Sequence, residues 1–369
     1  MTEIISHIYQ DNEGHWVIQS NEDHSIGVAR LASQFAGEFG MSEWGKVLGL
    51  LHDKGKETDA FQQYIKKESG YAPDIKICGK HHHAYVGGIL AQKYYGKSSY
   101  NLFVNQIVSH HTGLHDSDEI KGIVDQEIPS EVNIYHKKEK LNRPGLNIQA
   151  NDFHHLARML FSCLVDADFL DTEAFMDRES YTLRQNKDAL NDLLPLLENK
   201  LKELKAKADS SEINIIRNQI QQQCLKMADT PTGFYSLTVP TGGGKTLSSL
   251  VWAIKHAIKN GQKRVIIAIP YTSIIVQTAS ILRSIFGEEN VLEHHSCVDP
   301  EQIKDEKLKE KMKLATENWD YPIIVTTNVQ LFESMFCNKP SACRKLHNIV
   351  NSVIILDLAD RSLATVFCG

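Results

Sequence analysis

The chain has 369 residues, 42% of them hydrophobic and 23% charged, and its 46 acidic against 40 basic residues leave a formal charge of -6. That length supports two domains with separate cores, the composition is that of an ordinary soluble globular protein, and the lack of a basic surplus speaks against a purely non-specific nucleic-acid binder. Residues 1–10 lack the basic start and long apolar core of a signal peptide, and no run is long enough to cross a bilayer. The expected compartment is therefore the cytoplasm, with no membrane partner. The seven cysteines (78, 163, 224, 297, 337, 343 and 368) never form a C-x-x-C pair, so they read as reduced thiols rather than as disulfides or a zinc cluster.

Residues 15 to about 175 read as mostly helical. Apolar residues recur at helical spacing in Val47, Leu48, Leu50 and Leu51, and again in Leu156, Met159, Leu160, Cys163, Leu164 and Ala167. A charged, leucine-striped stretch at 190–207 predicts a connecting helix with one solvated face. After Thr230-Pro231-Thr232-Gly233 the pattern changes. Apolar, β-branched runs at 235–239, 265–269, 323–327 and 353–356 alternate with helical segments such as 247–259, the signature of parallel α/β architecture. The boundary is expected near residue 210, giving an all-α domain over 1–210 and an α/β domain over 211–369.

The chemistry-bearing residues of the helical half are histidines and aspartates. Seventeen histidines occur, and many are grouped: His24 alone, His52-Asp53, the triplet of His81, His82 and His83, and the pair His110-His111. Asp166 and Asp168 follow at the end of an apolar helical run. Each group taken alone is compatible with a capped, surface or turn histidine. The joint order, spread across helical sequence, is hard to obtain from background. Imidazole and carboxylate together suit divalent Mn, Fe, Co, Ni or Zn. Two such ions about 4 Å apart clamp the attacking and leaving oxygens of a phosphoryl displacement and lower the pKa of water. A His-Asp pair supplies two ligands from one helix end, and Asp53, with two carboxylate oxygens, can bridge two ions.

These pieces resemble the HD nuclease domain of the signature nuclease-helicase of type I CRISPR systems. The matching segments are D-H-S-I-G-V-A around His24, H-D-K-G-K at 52–56, H-A-Y-V-G-G from His83, H-H-T-G-L at 110–114 and S-C-L-V-D-A-D-F-L-D-T-E at 162–173. The resemblance implies His24, His52, Asp53, His83, His110, His111 and Asp168 as ligands of two divalent transition-metal ions, Mn, Fe, Co or Ni. It implies Lys56 beside the scissile phosphate, so that Asp53 and Lys56 carry the catalytic roles. His82 in place of His83, and Asp166 in place of Asp168, stay open, because both aspartates flank the same apolar stripe.

Between a predicted strand and a predicted helix lies Pro240-Thr241-Gly242-Gly243-Gly244-Lys245-Thr246. This is the context of a phosphate-binding loop, in which backbone N–H groups cradle phosphates, Lys245 reaches the β/γ phosphates and Thr246 holds Mg. The segments 235–249, 269–275 and 318–332 resemble the helicase part of the same family, with phrasing closest to subtype I-C. Gln219, in Arg217-Asn218-Gln219, stands where that resemblance implies an adenine-reading glutamine. ATP and Mg are the implied cofactors here.

The resemblance breaks after Asp357. The strand 353–357 looks like the one ending in the acidic motif D-E-A-x, but Leu358-Ala359-Asp360 follows. The sequence thus reads as a complete HD nuclease joined to an incomplete first RecA-like domain. The expected activity is metal-dependent hydrolysis of single-stranded DNA, with ATP bound but not used for unwinding. The resemblance implies the RNA-guided surveillance complex, Cascade, as partner. The competing readings are a phosphohydrolase of nucleotides or cyclic nucleotides, and a non-catalytic fragment that binds nucleotide, DNA or a partner.

Overall fold

The computed structural model describes residues 3–79, 81–96, 100–134, 138–141, 149, 152–185, 187–239, 242–296, 303–358 and 363–368. The chain forms two compact units, Met1–Thr182 with Cys337–His347, and Leu183–Phe336 with Asn348–Gly369.

The first unit opens on an antiparallel hairpin, β1 (Ile5–Gln10) and β2 (Trp16–Ser20). Its turn is tied by the Asp11 carboxylate, which accepts from the backbone N–H groups of Glu13 and His15. Residues 16–20 are therefore strand, where helix was expected. The aromatic and β-branched run Trp16-Val17-Ile18 favours the pleated form once a partner strand lies alongside. The Ser20 hydroxyl accepts from Asp23 N–H and caps α1 (Asn21–Gly37). Then follow α2 (Ser42–Leu51), a 3₁₀ turn over Lys54–Glu57, α3 (Asp59–Glu68), α4 (Ala84–Tyr95), α5 (Asn105–Ser109), α6 (Ser117–Val124) and α7 (Phe153–Met176).

Two glycines set the crossing that matters most. A Cβ on Gly45 would lie 2.2 Å from the Ala32 carbonyl oxygen, and one on Gly49 would lie 2.4 Å from the Ala29 backbone. Their absence lets α2 lie directly on α1, bringing the His52-Asp53 end of α2 against His24. Gly55 does the same a turn later, since a Cβ there would meet the His83 carbonyl oxygen at 2.0 Å.

After α8 (Arg178–Gln185), the second unit contains α9 (Leu190–Lys207), α10 (Glu212–Met227), β3 (Phe234–Thr238), α11 (Lys245–Lys259), β4 (Arg264–Ile269), α12 (Thr272–Phe286) and β5 (Val291–His294). It continues with α13 (Glu306–Asn318), β6 (Ile323–Thr327), α14 (Asn328–Phe336), β7 (Ser352–Leu358) and β8 (Leu363–Cys368), while α15 (Pro340–Cys343) belongs to the first unit. The strand order is β3-β8-β7-β4-β6-β5. β4 pairs in parallel with β6 and β7, and β5 with β6.

One core layer joins the sheet to α9–α12 through Leu193, Leu197, Trp252, Ile254, Ile267 and Leu282. The other joins it to α13 and α14 through Met312, Trp319, Ile324 and Leu331. The leucines of α9 thus pack with the second unit, although the sequence grouped that helix with residues 1–210. The buried stripe, not position along the chain, determines its company. The sheet is parallel as expected except for β8, which is antiparallel to both β3 and β7. No strand was expected after Asp357.

Candidate metal centre and nucleotide cleft

Five elements of the first unit deliver the histidines and aspartates to one place. His24 sits one turn into α1, and His52 and Asp53 follow the last turn of α2. His83 precedes α4, His110 and His111 follow α5, and Asp168 lies on α7. Asp53 is at the centre. Its Oδ2 is 3.4 Å from His24 Nε2 and 3.3 Å from His52 Nε2, while its Oδ1 is 3.3 Å from His83 Nε2 and 3.4 Å from His110 Nε2. Asp168 Oδ1 joins the first pair, 3.3 Å from His24 Nε2 and 3.7 Å from His52 Nε2. His111 Nε2 joins the second, 2.9 Å from His83 Nε2. Among the described residues, candidate donor atoms therefore converge in two groups, His24, His52, Asp53 and Asp168, and Asp53, His83, His110 and His111.

The fit of this pocket to divalent metal is testable on its polar atoms. Nε2 of His24, His52 and His110 and Oδ1 of Asp53 are buried and make no hydrogen bond. Leaving such atoms unsatisfied costs free energy, so their concentration at one point needs a ligand. The other ring nitrogens are committed. Nδ1 donates to the Gly49 carbonyl from His52 (2.7 Å), to the Ile107 carbonyl from His110 (2.6 Å) and to the Asp171 carboxylate from His24 (2.8 Å). These partners only accept, so each Nδ1 carries the proton and each Nε2 is left to aim inward, the tautomer a metal requires. The donor set fits two divalent ions that share Asp53.

Electrostatics agree. Burial alone would push the Asp53 carboxyl up, but His52, Lys56, His110 and His24 hold it well below the usual range. Burial likewise opposes charge on His24 and His52, yet the Asp168, Asp171 and Asp53 carboxylates raise His24 to about 10, and Asp53 and Asp168 raise His52 to about 9. Burial, with His110 and His83 nearby, pushes His111 down to about 3.

The choices the sequence left open are separated by geometry. His82 is exposed and stacks on His81, whereas His83 faces Asp53. Asp166 points away from the cluster. Its Oδ1 accepts from Arg344 Nε at 2.7 Å, and its Oδ2 lies 3.5 Å from His347 Nε2. Two residues on a helix differ by about 200° around the axis, so Asp166 and Asp168 cannot share a face. Lys56 is buried, 2.7 Å from Asp53 Oδ2 and 3.1 Å from Ser6 Oγ.

Sequence reasoning missed Asp171, which orients His24 and itself accepts from Gln19 Nε2 at 2.9 Å. It lies three residues after Asp168, on the same face of α7, and that spacing was the available signal. Asn21 was also missed; its Nδ2 donates to the Asp53 carbonyl at 3.2 Å. Asp171→Asn is expected to weaken metal binding about 10- to 100-fold, as loss of an outer partner to a metal-bound histidine does. Titration of the metal-free protein with Mn, followed by calorimetry, measures it.

In the second unit, Gly244 adopts a left-handed conformation (φ 79°) and starts α11, so Lys245 and Thr246 open the helix. Lys245 Nζ donates to Asp357 Oδ1 at 2.5 Å, joining the loop to the end of β7. Thr241 lies outside the described residues, and Gly242 and Gly243 complete the turn. Beside it is a 460 Å³ cleft lined by Asn214, Arg217, Asn218, Gln221, Gly244 and Ser248, among others. Gln219 does not line it. Positions 214, 217, 218 and 221 share one face of α10, and residue 219 is rotated off it. Gln219 instead faces a separate depression with Ile215, Gln222 and Gln223.

Sequence profiles agree with this division. An HD domain profile matches residues 21–144 and a DEAD/DEAH box helicase profile matches residues 218–367. The CRISPR-associated nuclease/helicase Cas3 of Haloferax volcanii is 30% identical over 150 residues, which are 35% of this chain and 16% of that protein. A Methanocaldococcus jannaschii sequence provisionally assigned the same name is 35% identical over 135 residues, 34% of this chain and 18% of that relative. The crystal structure of T. fusca Cas3 superposes with a TM-score of 0.58 at 15% identity, over 97% of this chain and 46% of that one. The chain thus spans less than half of the structures it matches, and its aligned stretches cover less than a fifth of the relatives.

Proposed function

We propose, from the matches to HD and DEAD/DEAH-box helicase profiles and the likeness to Cas3 proteins, that the chain hydrolyses phosphodiester bonds of single-stranded DNA in CRISPR antiviral defence. The observation that carries this reading is the Asp53 carboxylate, with two imidazoles on each of its oxygens inside a pocket of unsatisfied nitrogens. His24, His52 and Asp168 would hold one ion, His83, His110 and His111 the other, and Asp53 both. Divalent Mn, Fe, Co or Ni, when bound, supplies Lewis acidity and makes hydroxide available near neutral pH.

The chain's own groups do the rest. The carbonyls of Gly49 and Ile107 and the Asp171 carboxylate hold the imidazoles in register. Lys56 keeps Asp53 ionised and is the cation positioned to meet a phosphate's growing negative charge. Cytoplasmic location, Cascade as partner and subtype I-C membership belong to the same reading.

The test is a metal-dependent nuclease assay. Protein supplied with Mn, Co, Ni or Fe is expected to cut single-stranded DNA and to lose that activity with chelator. Cleavage that survives chelation would sink the proposal. Preferential turnover of free or cyclic nucleotides would replace DNA as substrate, and protein that takes up no metal would point to a binding fragment.

For the second unit we propose ATP and Mg binding without productive turnover. Lys245, Thr246, the glycines and Asp357 serve the phosphates and Mg, and Gln221 replaces Gln219 at the base-facing cleft. Leu358 follows Asp357 in sequence, and an alkyl side chain cannot orient an attacking water. Nucleotide binding is expected to weaken at least about tenfold in Lys245→Ala, as loss of a charged hydrogen bond implies. DNA-stimulated ATP hydrolysis is expected to be absent, and robust turnover by this chain would overturn that reading.

A further inference from the structure

An aromatic array runs outward from the second group of metal-site histidines, and neither metal binding nor the hydrophobic core accounts for its outer rings, Tyr64, His81 and His82. Phe61 and Tyr64 lie three residues apart on α3, on one face. The segment that follows α3 folds back along it, pinned by Cys78 N–H donating to Gln63 Oε1 at 2.8 Å and by Ala72 N–H donating to the Lys66 carbonyl. That return lays the His81 ring flat on Tyr64, with centroids 4.3 Å apart and planes 7° from parallel. His82 continues the stack at 5.5 Å and 22°. Inward, Phe61 lies 6.0 Å from Tyr64 and 4.9 Å edge-on from His83, and His83 meets Asp53 Oδ1 at 3.3 Å.

We propose that the Tyr64–His81–His82 stack is a nucleobase platform, taking a base of the strand whose phosphate reaches Asp53. Three observations support it. The stack is not core: Tyr64 and His81 are half-buried and His82 is exposed, so its outermost ring offers a free face. Its chemistry suits any base, since every base has a π-face and stacking on aromatic rings is tolerant of sequence. Its place is fixed relative to the reacting centre, because His82 is joined by one peptide bond to His83 and both ends are held against α3. A base on this stack holds its own strand in the pocket by binding energy that is the same before and during reaction, so it acts on KM.

This inference rests on the single-stranded DNA reading above, and the experiment separates the two. Manganese-loaded full chain is assayed on a short oligodeoxyadenylate and on an abasic strand of equal length, for wild type, His82→Ala and Tyr64→Leu. His82 is exposed, so His82→Ala tests the platform without endangering the fold. The expected result is a KM for the adenine strand raised about tenfold in either variant, with kcat within about twofold, and loss of the preference for the adenine over the abasic strand. In the metal-free protein, a bound 2-aminopurine strand should be quenched by wild type and less quenched by His82→Ala.

Equal changes on both strands, or no change on either, overturn the platform and leave the nuclease intact. Wild type that cuts neither strand, yet quenches 2-aminopurine through His82, overturns the nuclease reading and supports the platform.

Discussion

Asp53→Ala is expected to abolish metal-dependent DNA cleavage, with a fall of at least about a thousandfold, because several kcal/mol of transition-state stabilisation by metal go with it. No other described carboxylate has an oxygen in both donor groups. Removing it leaves His24, His52 and Lys56 together without their central counter-charge. Loss of either ion alone would leave the other group's histidines in place, whereas loss of Asp53 damages both. Asp53→Asn is the second variant, since it keeps the shape and removes the charge. Both should show reduced metal content by elemental analysis and wild-type circular dichroism. Wild-type cleavage by a well-folded Asp53→Asn protein would refute the bridging role.

The same geometry explains why so many elements are spent on one pocket. A carboxylate in a buried site is costly unless cations surround it. The fold satisfies that cost through close helix approach: Gly45 and Gly49 let α1 and α2 touch, and Gly55 lets the turn after Asp53 meet the backbone of His83. The backbone carbonyls at the ends of α2 and α5 then serve twice. They lie in the last turn of their helices, where carbonyls lack their full set of helical donors, and they fix the tautomers of His52 and His110. Site and packing are thus produced by the same few contacts.

What could be read beforehand follows from what each feature depends on. His52-Asp53 and His110-His111 were legible because adjacent residues at helix ends must share a neighbourhood. The phosphate loop was legible because its residues are contiguous between β3 and α11. The choice between Asp166 and Asp168 was not, since it turns on which neighbour each meets, and Arg344 lies 178 residues after Asp166. Asp171 was hidden because its partner His24 is 147 residues away. Which side of α10 each glutamine takes was not legible either, because a stretch with glutamines at 219, 221, 222 and 223 offers one on every face. The hairpin at the start was missed for a different reason, since two short strands carry little periodicity of their own.

Asp166→Ala should strongly destabilise the first unit while leaving the metal centre's ligands untouched. Asp166 and Arg344 are both buried, with Arg344 Nε donating at 2.7 Å, and Arg344 also stacks 4.6 Å over Phe169. Removing the carboxylate takes the Nε partner from a buried guanidinium that cannot give up its proton. The expected cost is about 3–5 kcal/mol, a fall of roughly 10 °C in melting temperature. Asp168→Ala should behave in the opposite way. His24 and His52 can shed their protons when that carboxylate goes, so the stability cost is about 1 kcal/mol, but the first metal group loses a ligand. Hydrogen exchange localises the first effect: α7 amides should open faster in Asp166→Ala, with β4 amides unchanged. The double variant Asp166→Leu with Arg344→Met should recover most of the loss, because a buried ion pair exchanged for apolar groups of similar volume is often neutral. An Asp166→Ala protein that is as stable as wild type but cannot hold metal would reverse the two aspartates' roles.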